Sequence, residues 1–172
     1  MGYLNGKMVY LCGAMGALDD SGMGWRDFVT PKLQKYGITV ADPARKTTDG
    51  ISEIGEDKKK FRELIKSENW EEAKKVFWPV ARWDLRCVDK SDFLILNYDA
   101  LVPSVGTWDE MVVANMQKKP ILFKYDRNQL DDFNIWTIVR IKPQHFFSEW
   151  DDMFGYLEEV DNGRLDTSYW TL

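Results

Sequence analysis

Short apolar runs alternate with segments of helical periodicity along this chain, and that alternation constrains the fold more than any other feature of the sequence. Runs of β-type residues cover positions 8–12, 38–41, 92–97 and 120–125. Continuous apolar runs of this length are typical of strands that are buried on both faces of a parallel sheet. Strands that alternate with helices form such a sheet with helices on both of its faces. The sequence therefore predicts an α/β fold.

A single domain is expected, because 172 residues suffice for one sizeable core and no segment has the composition of a linker. We predict a doubly wound, three-layer sheet of about five mostly parallel strands, of the flavodoxin or Rossmann-like type. The fifth strand is assigned to residues 135–141 and the last helix to residues 146–160. Residues 44–78 are expected to form a helical insertion after the second strand, either a solvated cover or a lid over a site. Pro79 is expected to begin a new helix.

The composition is that of an ordinary globular protein and narrows the range of partners. Hydrophobic residues make up 44% of the chain and charged residues 30%, and the net charge of −5 argues against binding long nucleic acid or anionic membranes. The single His and the two cysteines, Cys12 and Cys87, show no metal-ligand spacing, so we expect buried thiols, no metal and no cofactor. Without a signal peptide or an apolar run of membrane-spanning length, the chain is expected to be cytoplasmic.

Candidate ligand-binding residues follow several of the predicted strands. In open α/β sheets, ligands bind at the carboxyl ends of the strands, where the strand order reverses. That rule gathers one set of residues around a single cleft: Cys12, Gly13, Ala14, Met15 and Gly16 after the first strand, Asp42 after the second, residues 98–110 with Ser104 and Gly106 after the third, and Tyr125 after the fourth. The Gly-rich stretch is neither a Walker A motif nor a full dinucleotide fingerprint, so a tight turn and a phosphate cradle are both open interpretations.

Two carboxylates near this cleft are candidates for chemistry. Glu110 lies near the start of a helix predicted over residues 108–118, directly after the third strand. Asp84 is flanked on its own predicted helix by Trp83 and Val88, so its side chain can enter a partly apolar site. In such a site one carboxylate can stay ionised as a nucleophile while the other acts as an acid. That division of roles is the machinery of retaining glycosyl transfer.

Three blocks of sequence resemble the nucleoside 2-deoxyribosyltransferase family, which includes the related nucleoside 5′-monophosphate N-glycosidases. Residues 9–14 are similar to the opening strand of the family, apolar-Tyr-apolar-x-Gly. Residues 84–92 are similar to its helix-to-strand block, in which two Asp residues are separated by seven positions. Residues 104–110 match its Asp/Ser-x-Gly-x-x-x-Glu block, in which the Glu is the nucleophile. The blocks occur in the family's order, and their combination carries the likeness.

The resemblance implies a role for each matching residue. Glu110 would attack C1′ of the sugar and form a glycosyl-enzyme intermediate. Asp84 would lie near the leaving base and manage its proton, and Tyr10 would orient the nucleophile through a hydrogen bond. The Gly-rich stretch at residues 13–16 would line the ligand cleft. Asp109 is expected to be a surface or capping carboxylate.

The position of Ser104 separates two branches of the resembled family. An Asp there binds the 5′-hydroxyl of a free nucleoside, whereas a Ser suits a 5′-phosphate, because a hydroxyl donates to a dianion that a carboxylate would repel. Ser104 therefore favours a nucleotide substrate, and Arg26 or Arg45 is a candidate for the countercharge. The chain departs from the family pattern at Trp108, which is bulkier than usual, and in its long insertion, which leaves the identity of the substrate open.

The resemblance implies an enzyme that cleaves the N-glycosidic bond of a nucleoside or its 5′-monophosphate and transfers the sugar to another base or to water, in nucleotide salvage. It also implies a homo-oligomer. The alternative is a non-catalytic domain of the same fold that binds or senses a nucleotide, in which Glu110 only complements the helix dipole. A NAD-linked oxidoreductase is disfavoured, because the dinucleotide fingerprint is absent.

Overall fold

A five-stranded parallel sheet forms the centre of the computed structural model, which describes residues 2–16, 18–45, 56–102, 104–168 and 170. Its strands are β1 (Met8–Gly13), β2 (Thr39–Ala41), β3 (Phe93–Asn97), β4 (Ile121–Lys124) and β5 (Phe146–Phe147). They lie in the order β2-β1-β3-β4-β5, and every adjacent pair is parallel. The predicted α/β class and doubly wound parallel sheet are confirmed.

Helices cover both faces of the sheet. They are α1 (Met23–Gln34), α2 (Glu56–Lys66), α3 (Trp70–Lys90), α4 (Val105–Met116), α5 (Ile135–Ile138) and α6 (Trp150–Asp161), and short 3₁₀ turns lie between some of them. Within the described part of the chain, none of the helices combines the length and the apolar character that crossing a membrane requires.

Alternation along the strands divides the core into two clusters. Val9 and Leu11 of β1 pack with residues of α1 and α6 on one face of the sheet. Tyr10 and Cys12 point to the opposite face and pack with residues of α3 and α4. Successive strand residues always point to opposite faces, so the two residues of β1 that matter for the candidate site share the face that α3 and α4 cover.

The strand order reverses between β1 and β3, because the chain runs from β1 outward to β2 and then returns to β3 on the other side. Gly13 at the end of β1 lies in register with Asn97 at the end of β3. The crevice outside these two strand ends is the place where open α/β sheets bind ligands. A ligand is therefore expected between the loops that follow β1 and β3.

The predicted fifth strand at residues 135–141 is wrong. The segment begins with the short helix α5, in which Ile135 is 75% exposed and Trp136 is 69% exposed. The Asn134 side chain accepts a hydrogen bond from the backbone N–H of Trp136 at 2.9 Å, which caps a helical turn and diverts the backbone from an extended strand. The actual fifth strand is β5, which pairs with β4.

The predicted helix start at Pro79 is also wrong, because α3 passes through this residue without interruption. Asn69 caps the start of α3, as its side chain accepts from the backbone N–H of Glu72. The buried residues Ala73, Val80 and Cys87 recur at intervals of seven on both sides of Pro79, so one apolar stripe holds the whole helix against its neighbours.

The boundary drawn at residue 78 for the helical insertion therefore falls inside a helix, and the insertion is continuous with the segment that carries Asp84. Helix α2 packs against this segment, and the rings of Phe61 and Phe77 stack with their centroids 4.7 Å apart. Residues 46–55 of the predicted insertion lie outside the described residues.

Candidate active site

A buried carboxylate and a buried phenol meet between α4 and β1. Glu110 lies on the second turn of α4 and is 8% exposed, and Tyr10 of β1 is completely buried. The Tyr10 hydroxyl donates a hydrogen bond of 2.7 Å to Oε1 of Glu110. This length is typical of a hydroxyl that donates to an ionised carboxylate. Helix α4 thus brings Glu110 into contact with Tyr10, the residue that the resemblance implies as its hydrogen-bond donor.

The other carboxylate oxygen of Glu110 receives a second donor. The Cys12 thiol donates to Oε2 of Glu110 at 2.9 Å. Burial raises the pKa of both Tyr10 and Cys12 well above their ordinary values, and the charge of Glu110 raises both further. Both groups are therefore protonated donors at neutral pH.

Asp84 lies on the same side of the sheet. It belongs to α3 and is 4% exposed. In its ionised form Asp84 raises the pKa values of Tyr10 and Cys12, so Asp84 is within electrostatic reach of both side chains. The structure thus gathers Tyr10, Asp84 and Glu110, the three predicted catalytic residues, on one face of the sheet.

A cleft opens beside this group, at the carboxyl ends of β1 and β3. The space between its walls, including open solvent at its mouth, amounts to about 310 Å³. The lining residues are Ala14, Leu96, Asn97, Tyr98, Asp99, Val102, Ser104, Thr107, Trp108, Met111 and Thr137. Thr107 and Met111 of α4 line the cleft and flank Glu110 at positions −3 and +1, whereas the side chains of Glu110, Tyr10 and Asp84 are not part of the lining. Asp99 is the only charged residue among the described residues that line it.

Of the residues predicted to bind a ligand, Ala14 and Ser104 line this cleft. Ser104 is the N-cap residue of α4, and its hydroxyl lies 2.7 Å from the hydroxyl of Thr107. Gly106 in the same turn is exposed and does not belong to the lining. Two hydroxyl groups therefore stand at the first turn of α4, where the helix dipole favours an anion.

The Gly-rich stretch forms a tight turn rather than a wall of the cleft. A Cβ atom on Gly13 would lie 2.9 Å from the carbonyl oxygen of Asn97, so only glycine permits this close approach between the strand ends. Met15 is buried at 8% exposure, and the carbonyl of Gly16 accepts a hydrogen bond from Lys58 of α2. Apart from Ala14, none of these residues lines the cleft.

Arg26 of α1 stabilises this turn through hydrogen bonds to its backbone. Its side chain is completely buried. The guanidinium donates to the carbonyl oxygens of Gly22 at 2.8 Å, Gly13 at 3.1 Å and Leu11 at 3.2 Å. Its Nε lies 3.4 Å from Oδ1 of Asp42. Arg26 is thus directed at the backbone of β1 and α1 and not at a ligand, which corrects its expected role as a countercharge for phosphate.

Asp42 is likewise removed from the cleft. Its carboxylate is shared between the buried Arg26 and the half-exposed Arg45, whose Nε lies 3.4 Å from Oδ2. Arg45 also pairs with Asp27. The expectation that Asp42 borders the same cleft as Ser104 is therefore corrected, as is the expectation for Arg45. Tyr125, also placed around the cleft from the sequence, instead packs edge-on against Phe133.

Sequence reasoning missed one side of the cleft. Thr137 of α5 is 1% exposed, lines the cleft, and has a hydroxyl with no hydrogen-bond partner among the residues that the structure describes. The apolar run at residues 135–141 predicts a strand, and a strand at the edge of the sheet would not bring Thr137 to the cleft. The capping residue Asn134, directly before this segment, was the available signal. Asp99, within the segment 98–110 that is expected to border the cleft, does line it, and its Oδ1 accepts hydrogen bonds from Gln129 and the backbone N–H of Leu101, each at 3.0 Å.

Comparisons with known proteins identify the fold. The sequence matches no protein-family model and no curated protein. A 2-deoxyribosyltransferase from Bacillus psychrosaccharolyticus is similar in structure over 87% of this chain and 91% of its own, with a TM-score of 0.59 and 15% identity. A conserved protein from Enterococcus faecalis is similar over 92% of this chain and 99% of its own, with a TM-score of 0.59 and 17% identity. A CMP N-glycosidase from Clostridium botulinum aligns over 88% of this chain and 98% of its own, with a TM-score of 0.48 and 15% identity.

The first two likenesses span nearly the whole of each chain, so this protein has the fold of a 2-deoxyribosyltransferase. It is the fold of the family that the three sequence blocks resemble.

Proposed function

We propose that this chain is a nucleoside 2-deoxyribosyltransferase-like enzyme. It cleaves the N-glycosidic bond of a (deoxy)nucleoside or its 5′-monophosphate through a glycosyl intermediate on Glu110 and passes the sugar to another base or to water. The observation that carries the proposal is the 2.7 Å hydrogen bond from Tyr10 to Glu110 of α4, a helix whose neighbouring residues line a cleft at the strand ends. The fold shared with a 2-deoxyribosyltransferase supports the same reaction class.

In the first half of the proposed reaction, an oxygen of Glu110 attacks C1′ of the sugar. A C1′–O bond forms and the C1′–N bond breaks, and the electron pair of that bond leaves with the base. Protonated Asp84 gives its proton to the departing base. Tyr10 keeps its proton throughout and holds the carboxylate of Glu110 in position, since its pKa is raised well above its ordinary value.

In the second half, a nitrogen of an acceptor base or a water molecule attacks C1′. Its proton passes to the Asp84 carboxylate, the ester bond to Glu110 breaks, and both carboxyl groups return to their starting states. The two displacements retain the configuration at C1′.

The substrate's 5′ group is assigned to the first turn of α4. The hydroxyls of Ser104 and Thr107 and the helix dipole can receive either a sugar hydroxyl or a phosphate there. Replacing Ser104 with Asp is expected to weaken binding of a deoxynucleoside monophosphate and to spare the nucleoside, because a carboxylate repels the phosphate dianion. Equal changes for both ligands in calorimetric titrations would contradict this assignment.

A homo-oligomer is part of the proposal. Around Thr137, the apolar side chains of Ile135, Trp136 and Val139 are 75%, 69% and 68% exposed. Exposed apolar groups that cluster in this way are typical of protein interfaces. A second copy of the chain that covers them would lie close to the cleft.

The test of the enzyme proposal is release of free base from deoxynucleosides and deoxynucleoside monophosphates, followed by chromatography with and without an acceptor base. Glu110→Gln is expected to lower turnover by at least about three orders of magnitude, because the nucleophile is lost. Asp109→Asn, at the exposed neighbouring position on α4, is the matched control and is expected to retain activity. Intact-mass measurement after reaction with a 2′-fluorinated nucleoside, whose glycosyl ester breaks down slowly, is expected to detect the added sugar on the wild type and not on Glu110→Gln.

Free base from none of these substrates, together with ligand binding that survives Glu110→Gln, would refute the enzyme proposal. That outcome would favour the alternative of a non-catalytic nucleotide-binding domain.

A further inference from the structure

The two oxygens of the Glu110 carboxylate have different donors. Oε1 accepts from the phenol of Tyr10 at 2.7 Å, and Oε2 accepts from the thiol of Cys12 at 2.9 Å. Both donors come from β1 and are separated by one residue, so the pleat of the strand directs them to the same face. The carboxylate is therefore held at both ends by one strand.

The geometry fixes where the single thiol proton goes. The Cys12 sulfur lies 3.7 Å from the carbonyl oxygen of Thr107 and 2.9 Å from Oε2 of Glu110. The nearer and charged acceptor is the carboxylate, and charged acceptors make the stronger hydrogen bonds. Cys12 is completely buried, whereas Glu110 is 8% exposed, so the carboxylate is the more accessible of the two groups to a substrate.

Chemistry of the sulfur itself is excluded by the same surroundings. A thiolate is the reactive form of cysteine. Burial raises the pKa of Cys12 well above its ordinary value, and the adjacent Glu110 carboxylate raises it further. Cys12 is thus a hydrogen-bond donor and not a nucleophile.

We propose that Cys12 is a positioning residue for the nucleophile, and that its weak donor on Oε2 leaves this oxygen to attack while Tyr10 anchors Oε1. A thiol is a weak donor and a phenol a strong one. Oε2, which accepts from the weaker donor, therefore keeps more of its electron density. Its hydrogen bond also costs less free energy to break as the bond to C1′ forms. This inference rests on the proposed function for the attack, whereas the thiol–carboxylate contact can be tested without any substrate.

The kinetic test compares three variants of the full chain. Cys12→Ala is expected to lower kcat about tenfold, the loss expected for one weak hydrogen bond to a charged group. KM is expected to change less than about twofold, because Cys12 does not line the cleft. Cys12→Ser restores a donor and is expected to recover part of kcat, because the hydroxyl positions the carboxylate but holds Oε2 more tightly than the thiol does. Cys87→Ala removes a buried thiol from the same core cluster and is the control for lost packing.

Two kinetic results would overturn the proposal. One is an equal loss of kcat in Cys12→Ala and Cys87→Ala, which would assign the effect to packing. The other is a Cys12→Ser variant as slow as Cys12→Ala, which would show that the donated proton is irrelevant.

The substrate-free test is the infrared S–H stretching band, which is isolated by subtracting the spectrum of Cys12→Ala from that of the wild type. A thiol that donates to a carboxylate absorbs at lower frequency than one that donates to a neutral group. Glu110→Gln is therefore expected to move the Cys12 band upward. An unmoved band would overturn the proposal even if the wild type turns over nucleosides. A moved band in a protein that turns over no nucleoside would instead refute the proposed function and retain the thiol–carboxylate contact.

Discussion

Replacing Arg26 with Met is expected to destabilise the fold by about 3–5 kcal/mol. The guanidinium is completely buried and donates to three carbonyl oxygens, those of Leu11, Gly13 and Gly22, at 2.8 to 3.2 Å. A carbonyl left without a partner in a dry site costs roughly 1–3 kcal/mol. Part of this sum is offset, because the variant no longer buries a charge, and burial of that charge lowers the pKa of Arg26. Methionine fills most of the same space, so little of the loss comes from a cavity.

The assay is denaturant unfolding followed by circular dichroism, with thermal unfolding in parallel. For a chain of this size the expected loss corresponds to a fall in Tm of roughly 6–20 °C. Arg45→Met is the matched control, because Arg45 pairs with the same Asp42 carboxylate but has a side chain that is 55% exposed. The loss for that variant is expected to stay within about 1 kcal/mol.

Equal stability of the two variants would refute the assignment of Arg26 to the scaffold of the Gly-rich turn. A normal unfolding curve for Arg26→Met, combined with a selective loss of turnover for monophosphate substrates, would return Arg26 to the role of phosphate ligand. The structure instead leads us to expect equal losses of activity for nucleosides and monophosphates, since Arg26 touches the backbone of the turn and not the cleft.

Three further changes test other parts of the molecule. Thr137→Val is expected to raise KM about fivefold without lowering Tm, because the Thr137 hydroxyl has no hydrogen-bond partner among the described residues and gains one only from a bound ligand. Thr137→Ser keeps the hydroxyl and should retain the wild-type KM. Burial lowers the pKa of His145 from 6.5 to about 4. The free energy of unfolding is therefore expected to stay constant with respect to this group above pH 6.5 and to fall by up to about 3 kcal/mol as the pH decreases to 4, because the unfolded chain binds the proton first. Unfolding of His145→Gln should depend less on pH across this window. Trp136→Glu places a charge among the exposed apolar residues of α5 and is expected to reduce the sedimenting mass to that of a monomer, whereas an unchanged mass would exclude this patch as the interface.

Most of the sheet could be predicted because its interior strands are buried on both faces. Strands β1, β3 and β4 appear in the sequence as continuous apolar runs, and the structure places each within two residues of its predicted bounds. Strand β5 has only two residues, which is too short for any periodic signal. The longer apolar run at residues 135–141 resembles a strand more closely, but three of its apolar side chains, those of Ile135, Trp136 and Val139, are largely exposed rather than packed in the core.

The candidate catalytic residues could be predicted, whereas the groups that support them could not. Tyr10, Asp84 and Glu110 were found through short motifs that keep their order in the sequence. The roles of Cys12 and Arg26 depend on which way a side chain points and on what crosses it, and neither follows from spacing alone. The sequence offers Arg26, as an alternative to Arg45, as a countercharge for phosphate. A buried arginine needs partners, and the strand-end carbonyls and Asp42 supply them for Arg26.

Strand β1 links the candidate chemistry to the scaffold, because its side chains and its backbone serve different neighbours. The side chains of Tyr10 and Cys12 hold both oxygens of Glu110 on one face of the sheet. The carbonyl groups of Leu11 and Gly13 accept from Arg26 and so fix the end of the same strand. A shift of β1 along its axis would therefore move the anchors of Glu110 and break the contacts of Arg26 together. The buried arginine thus bears on the nucleophile through the position of one strand, even though Arg26 does not line the cleft.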